Sequence, residues 1–270
     1  MDTLTYFASQ SPMTDPGKHS EQFAAMPAAV SEICSVVQGL FLKQEERYKY
    51  PIVNERLLAS HSRQIEAVLD WVLKLSKNAP LVETREIPDR FLASSSDYAN
   101  LFVSIARAKG IPARKRVGFA GGCSCDVAEY WDGSAWQQID PSGLIEGEFV
   151  PAAKAWKAVR AGEVCACQFK AESETKLSGM EAVRNNLILD FAAMNKVELL
   201  NWDRYGWLLR PLDDFSDKAL ATLDKAAEAL DADDMDAILA LYEAEEGLQV
   251  PRVIKCDTPL VPPHKAELPL

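Results

Sequence analysis

Histidine is scarce in this chain, which carries three: His19, His61 and His264. That limits the supply of the side chain most used as a general base and metal ligand near neutral pH. Basic charge is short as well, with 29 Lys and Arg against 40 Asp and Glu and a formal net charge of -11. Such a balance excludes sequence-independent nucleic-acid binding, which needs cations to replace phosphate counterions, and it disfavours an anionic membrane surface for the same reason. The sequence holds no apolar run of about eighteen residues, so no membrane span is expected. The opening MDTLTYFASQSPMTDPG has neither a basic segment nor a long apolar core, so no secretory signal is expected. Six cysteines in 270 residues are too sparse for a small disulfide scaffold. The expectation is a cytoplasmic protein with reduced thiols.

What is present is the composition of an ordinary soluble protein, 48% hydrophobic and 26% charged, long enough to bury a large core. The organisation expected is an extended N-terminal arm over 1–26, a single domain over 27–255 and a Pro-rich tail over 256–270. Ile33, Val36, Val37, Leu40 and Phe41 recur at helical spacing between Pro27 and about Gln44. Ser60 or Ser62 would cap a second helix carrying Ile65, Val68, Leu69, Val72 and Leu73. A third helix runs from about Ser96 to Lys109, stopped by Gly110 with Pro112 just beyond. Strands follow at Arg114–Ala120, Asp126–Trp131 and Ala135–Ile139, the last two flanking an Asp-Gly hairpin signal. Helical periodicity returns at about 151–161, 180–200 and 216–245. Helices, then a central helix feeding antiparallel strands, then helices again make an α+β fold.

Two segments carry chemistry. SSDYANLFVSIARAKGIPAR, from Ser95, and EYWDGSAWQQIDPS, from Glu129, together resemble the core of the transglutaminase-like superfamily over residues 90–143. VQGLFL near the start and LDFAAMNKVELLNWDRYGW near the end resemble the flanking helices of a bacterial subfamily. The resemblance implies a papain-like core, a central helix packed on an antiparallel sheet with N- and C-terminal helices around it. It also implies acyl, amide or peptide-like substrates. It places the family cysteine at Ser95, the family histidine at Cys125 and the family aspartate at Asp140, directly before Pro141. Only the aspartate is retained. A serine hydroxyl needs an adjacent general base, and a free thiol with a pKa of about 8.5 is mostly protonated at neutral pH. Asp140 has no imidazole at the matching position to orient. The histidines read as ordinary surface residues.

Other residue types leave alternatives open. Ser94, Ser95 and Ser96 have two readings: one of them or Asp97 caps the helix or hydrogen-bonds in a pocket, or the run is catalytic, which would require a base. Cys123-Ser-Cys125 and Cys165-Ala-Cys167 are small apolar side chains, or metal or redox pairs whose four thiolates would suit zinc or another soft metal, or Cys125 is a displaced nucleophile with Ser95 hydrogen-bonding. No other cofactor is expected, and Cys34 and Cys256 read as structural. Asp190 is a pocket carboxylate or one half of a salt bridge to Arg184 or Arg114. Asn195, Lys196, Glu198, Trp202 and Asp203 wall a cleft or close a helix with its caps. The candidate ligand-binding set is Asp97, Glu129, Asn186, Asp190 and Trp202. The leading reading is a transglutaminase-like protein with a degenerate triad, binding or transforming a small acyl, amide or peptide-like metabolite without the family's cysteine mechanism. The alternatives are an active repurposed hydrolase, amide-forming enzyme or lyase of specialised metabolism, and a metal-binding protein using both cysteine pairs.

Overall fold

The computed structural model describes residues 2–50, 52, 54–171, 177–257 and 262–270. It contains two compact units that are not consecutive segments: Met1–Lys115 with Val127–Leu144, and Arg116–Asp126 with Ile145–Leu270. The fold is α+β.

The first unit begins with α1 (Thr3–Ala8), whose N-cap Asp2 accepts from the Thr5 amide at 3.0 Å. Next come α2 (Val30–Leu40), β1 (Phe41–Lys43), α3 (Asn54–Ala59), α4 (Ile65–Leu75), β2 (Phe91–Ala93) and α5 (Ser95–Ala108). α2 stops earlier than the apolar spacing predicts because Phe41 and Leu42 leave the helix to pair in parallel with Phe91 and Leu92. α4 buries Ile65, Val68, Leu69, Val72 and Leu73, the stripe expected for a helix with one face inward. Neither Ser60 nor Ser62 caps it. The Ser60 hydroxyl donates to Leu57 O at 2.7 Å, and the Ile65 amide at the helix start donates to Met13 O at 2.9 Å instead. Segment 2–26, expected as an extended arm, is folded in: Phe7, Met13 and Phe23 are buried, and the Ser104 hydroxyl on α5 donates to Thr14 O at 2.6 Å. A helix as short as α1 offers too few turns to register as a period.

α5 is buried along almost its whole length. Leu101, Phe102 and Ile105 share one apolar cluster with Ile33, Val37 and Leu40 of α2 and Leu69 of α4. Gly110, at φ +75°, ends it as expected. β3 (Ala113–Ala120) and β4 (Cys123–Trp131) are sheet neighbours, and both run through the two units. In the first unit β4 pairs antiparallel with β5 (Trp136–Ile139), from Ala128↔Ile139 to Trp131↔Trp136. The hairpin turn rests on Asp132, whose Oδ1 accepts from the Ser134 and Ala135 amides at 2.8 and 2.9 Å.

Those bonds, the Ala135 amide first, hold the Asp132 carboxyl down at about 2, from an ordinary value of 3.8. A depressed folded pKa means its contribution is complete above the unfolded value and is lost as pH falls through the folded one. The stability gap between wild type and Asp132→Ala should therefore be constant down to pH ~4 and close towards pH ~2. Urea midpoints across that range check it, and a gap that does not change with pH would refute it.

In the second unit β3 pairs antiparallel with β6 (Phe149–Pro151) through Gly118↔Pro151 to Ala120↔Phe149. A Cβ on Gly118 would collide with Val150 O and stand 2.6 Å from the Phe149 ring, so only glycine permits this approach. Helices α6 (Ala152–Arg160), α7 (Gly179–Met194), α8 (Asp217–Asp231) and α9 (Met235–Ala244) follow, with β7 (Asp203–Arg204) between α7 and α8. The single helical period over 216–245 is broken at Asp233, whose φ of +53° turns the chain, and Asp234 caps α9 by accepting from the Ala237 amide at 3.0 Å. The C-terminal residues are not merely a surface tail. β8 (Val253–Cys256) pairs antiparallel with β9 (His264–Glu267) and with β7. Positions 258–261 of the expected tail lie outside the described residues. Among the described residues no helix is long and apolar enough to cross a membrane.

Candidate functional site

In the first unit the site residues gather at the start of α5. The chain leaves β2 at Ala93, and Ser94 is the N-cap. Its amide and hydroxyl both donate to Asp97 Oδ2 at 2.7 Å, so the Asp97 carboxylate, 2% exposed, serves the cap. Ser95 is the first residue of the helix and is buried. A helix N-terminus and an imidazolium would lower the pKa of a thiol, but a hydroxyl at this position still needs a base.

Asp140 follows β5. Its Oδ1 accepts from the Ser142 amide at 2.9 Å and the Ser142 hydroxyl at 2.6 Å, and its Oδ2 accepts from the Leu144 amide at 2.9 Å. Gln38 of α2 donates to Pro141 O at 3.0 Å, and one turn back on that helix lies Cys34. Burial first, and then the Asp140 charge, push the Cys34 thiol up to about 11. Cys34 is thus protonated at neutral pH and is no replacement for the missing nucleophile. Its electrostatic link to Asp140 was invisible in a sequence where the two stand far apart.

Glu129 accepts from Arg114 Nε at 2.7 Å, and the same guanidinium lies 4.1 Å from the Trp136 ring centre. His19 and His61, expected at the surface, are 7% and 8% exposed. His19 Nε2 is 2.8 Å from Asp70 Oδ1, which explains how a polar ring is tolerated there. His264, in the second unit, is exposed, with Nδ1 3.2 Å from Pro262 O.

In the second unit α7 presents Asn186 and Asp190 one turn apart to the hairpin of β3 and β4. Asn186 donates from Nδ2 to Gly118 O at 2.8 Å and accepts from the Ser124 hydroxyl at 3.0 Å. Asp190 is fully buried. It accepts from Arg116 Nε at 3.0 Å, Arg116 Nη2 at 2.9 Å and the Val117 amide at 2.8 Å. Its partner is therefore Arg116, not Arg184 or Arg114. Arg184 donates to Arg210 O at 2.6 Å and Asn185 Oδ1 at 2.7 Å. Sequence reading missed Arg116 because a strand in the middle of a core does not advertise which cation meets a helix far along the chain.

The run after α7 behaves as a helix end. Asn195 Nδ2 donates to Phe191 O at 2.8 Å, Lys196 takes φ +60°, and Asp203 Oδ2 accepts from the Leu200 amide at 3.0 Å. Trp202 packs with Leu200 and Cys256. Among the cysteines, Cys165 and Cys167 are joined as a disulfide, contrary to the expectation of reduced thiols. Cys165 caps the 3-10 turn at Ala166–Gln168 and Cys167 lies within it, neither on a strand, and a disulfide offers no thiolate to a metal. Cys125 is buried in β4, and Cys123 is half-buried and bridges to Lys170.

Residues 54–141 match the family model of the transglutaminase-like superfamily, a stretch from α3 to Pro141 that includes Ser95, Cys125 and Asp140. No curated protein and no solved structure matches the chain.

Proposed function

We propose, from the premise that residues 54–141 are a transglutaminase-like core, that this protein binds a small acyl, amide or peptide-like ligand and does not transform it by the family's cysteine mechanism. Ser95 stands where the resemblance places the nucleophilic thiol and Cys125 where it places the imidazole. A serine hydroxyl in place of the thiol and a thiol in place of the imidazole do not supply the thiolate and imidazole on which the family's acyl transfer depends.

The observation that carries this reading is the use of the Asp140 carboxylate within its own loop, with both oxygens engaged by Ser142 and Leu144. The same carboxylate in a working triad would hold a histidine in its tautomer. Here it supports a turn. Retention of α5, β4 and β5 with a serine and a cysteine at the other two family positions supports recognition over turnover.

Equilibrium dialysis against a panel of amides, esters and dipeptides, followed by mass analysis of what is retained, tests the reading. The expected result is a ligand recovered chemically unchanged. Reproducible turnover abolished by Asp140→Asn would replace it with the repurposed-enzyme reading.

A further inference from the structure

The sheet of β7, β8 and β9 carries a feature that the site above does not use. Its register places Arg204 directly opposite Lys255, and Lys255 directly opposite Lys265. Opposed residues in paired strands share a face and stand about 4.5–5.5 Å apart at Cβ. Three cations thus form one row across three strands, in a chain of net charge -11. Like charges placed directly opposite destabilise a sheet, so such a row needs a reason.

The acidic groups nearest the row are Asp203, Asp257 and Glu267, the last directly opposite Val253. Asp203 pairs in register with Cys256 on the other face, and its Oδ2 accepts from the Leu200 amide. Glu267 is bound to Arg252 Nε at 3.1 Å. Asp203 and Asp257 act on Arg204, whose pKa is nevertheless lowered because burial outweighs them. Arg204 is 8% exposed, and its Nη1 is held by Asn201 O at 2.8 Å and Asp203 O at 2.9 Å. Among the described residues no ion pair reaches Lys255 or Lys265.

These cations line a cavity of about 610 Å³, and none of its lining residues is acidic. Leu209 and Val253 also line it, and they are 54% and 50% exposed, so their apolar surface is open to a ligand. A cavity of this volume suits a small molecule, which ordinarily occupies roughly 300–1,000 Å³. Its lining thus combines three cations with aliphatic side chains.

We propose that this cavity binds a small organic phosphate, its dianionic head on the Arg204–Lys255–Lys265 row and its apolar portion against Leu209 and Val253. A dianion relieves the repulsion along the row and offsets the desolvation of Arg204. A guanidinium already held by two carbonyls is preorganised to receive it. The site lies wholly in the second unit and does not depend on the fate of Ser95 or Asp140.

Calorimetric titration of the full chain with n-octyl phosphate tests the proposal, with inorganic phosphate and n-octanol as the two halves of the ligand. The expected result is binding by octyl phosphate at least about tenfold tighter than by either half. Affinity should fall at least about tenfold in Lys255→Gln/Lys265→Gln, fall again in added salt, and drop in Val253→Thr with the salt dependence kept. Both lysines and Val253 are exposed, so these variants should fold as wild type does, which circular dichroism checks. Equal binding by wild type and the double lysine variant overturns the proposal. So does binding to phosphatidylserine vesicles, lost in the same variant, without binding of free octyl phosphate, since that outcome assigns the row to a membrane surface.

Discussion

Asp190→Asn should lower the free energy of unfolding by about 3–5 kcal/mol, because it leaves the Arg116 guanidinium buried beside a neutral amide. The carboxylate is fully buried and receives two nitrogens of Arg116 and the Val117 amide, each within 3.0 Å. A pair so enclosed is worth much less as a unit than the loss of one partner suggests, since desolvation of both charges opposes their attraction. The double change Arg116→Met with Asp190→Leu should accordingly recover most of what Asp190→Asn loses. Urea denaturation of the three proteins decides it. A loss below about 1 kcal/mol in Asp190→Asn would mean that the pair is open to water and screened.

Trp156→Ala should cost a similar amount, about 3–5 kcal/mol, for a different reason. The indole on α6 is fully buried and its Nε1 donates to Asp224 of α8 at 2.8 Å. Truncation removes the largest fully buried side chain of the protein and leaves a cavity between helices. Trp156→Phe separates the two contributions: it keeps most of the ring and forfeits the hydrogen bond, worth about 1 kcal/mol. Arg160, whose Nη2 lies 3.0 Å from Asp224 Oδ2, still partners the carboxylate in that variant. A Trp156→Phe protein as unstable as Trp156→Ala would show that the hydrogen bond, not packing, dominates.

Local patterns reported local structure well. The stripe of α4, the stop at Gly110 and the Asp-Gly hairpin at Asp132 each depend on residues within a few positions of one another, and each appears as read. The capping role of Ser94 and Asp97 was one of two open readings and is now seen. What escaped the sequence depends on distant partners. Met13 O meets the first amide of α4, so no serine cap was needed. Phe7 and Phe23 are buried although the segment around them has no sustained period. Asp190 meets Arg116 of β3, whereas Arg114, two residues back on the same strand, is engaged by Glu129, and Arg184 on its own helix donates to Arg210 O. The cation row is equally non-local: Arg204, Lys255 and Lys265 are unremarkable singly and become a row only through strand register. Of the candidate site, the residue types at Ser95, Cys125 and Asp140 were legible by resemblance, whereas the commitment of Asp140 to its own loop was not.

The most direct measurement is of covalent chemistry at residue 95. Wild type and Ser95→Ala are incubated at neutral pH with thioester and p-nitrophenyl ester acyl donors, and the burst of released leaving group is recorded. Intact mass and peptide mapping follow on the quenched samples. The expected result is the same trace for both proteins, with no burst and no stoichiometric acyl mass on the peptide that contains Ser95, because a serine hydroxyl is far less acidic than the thiol it replaces and a cysteine stands where the family places the imidazole. A stoichiometric burst in wild type, with the acyl group mapped to Ser95 and both signals lost in Ser95→Ala, would contradict the proposal that this transglutaminase-like core has given up acyl transfer.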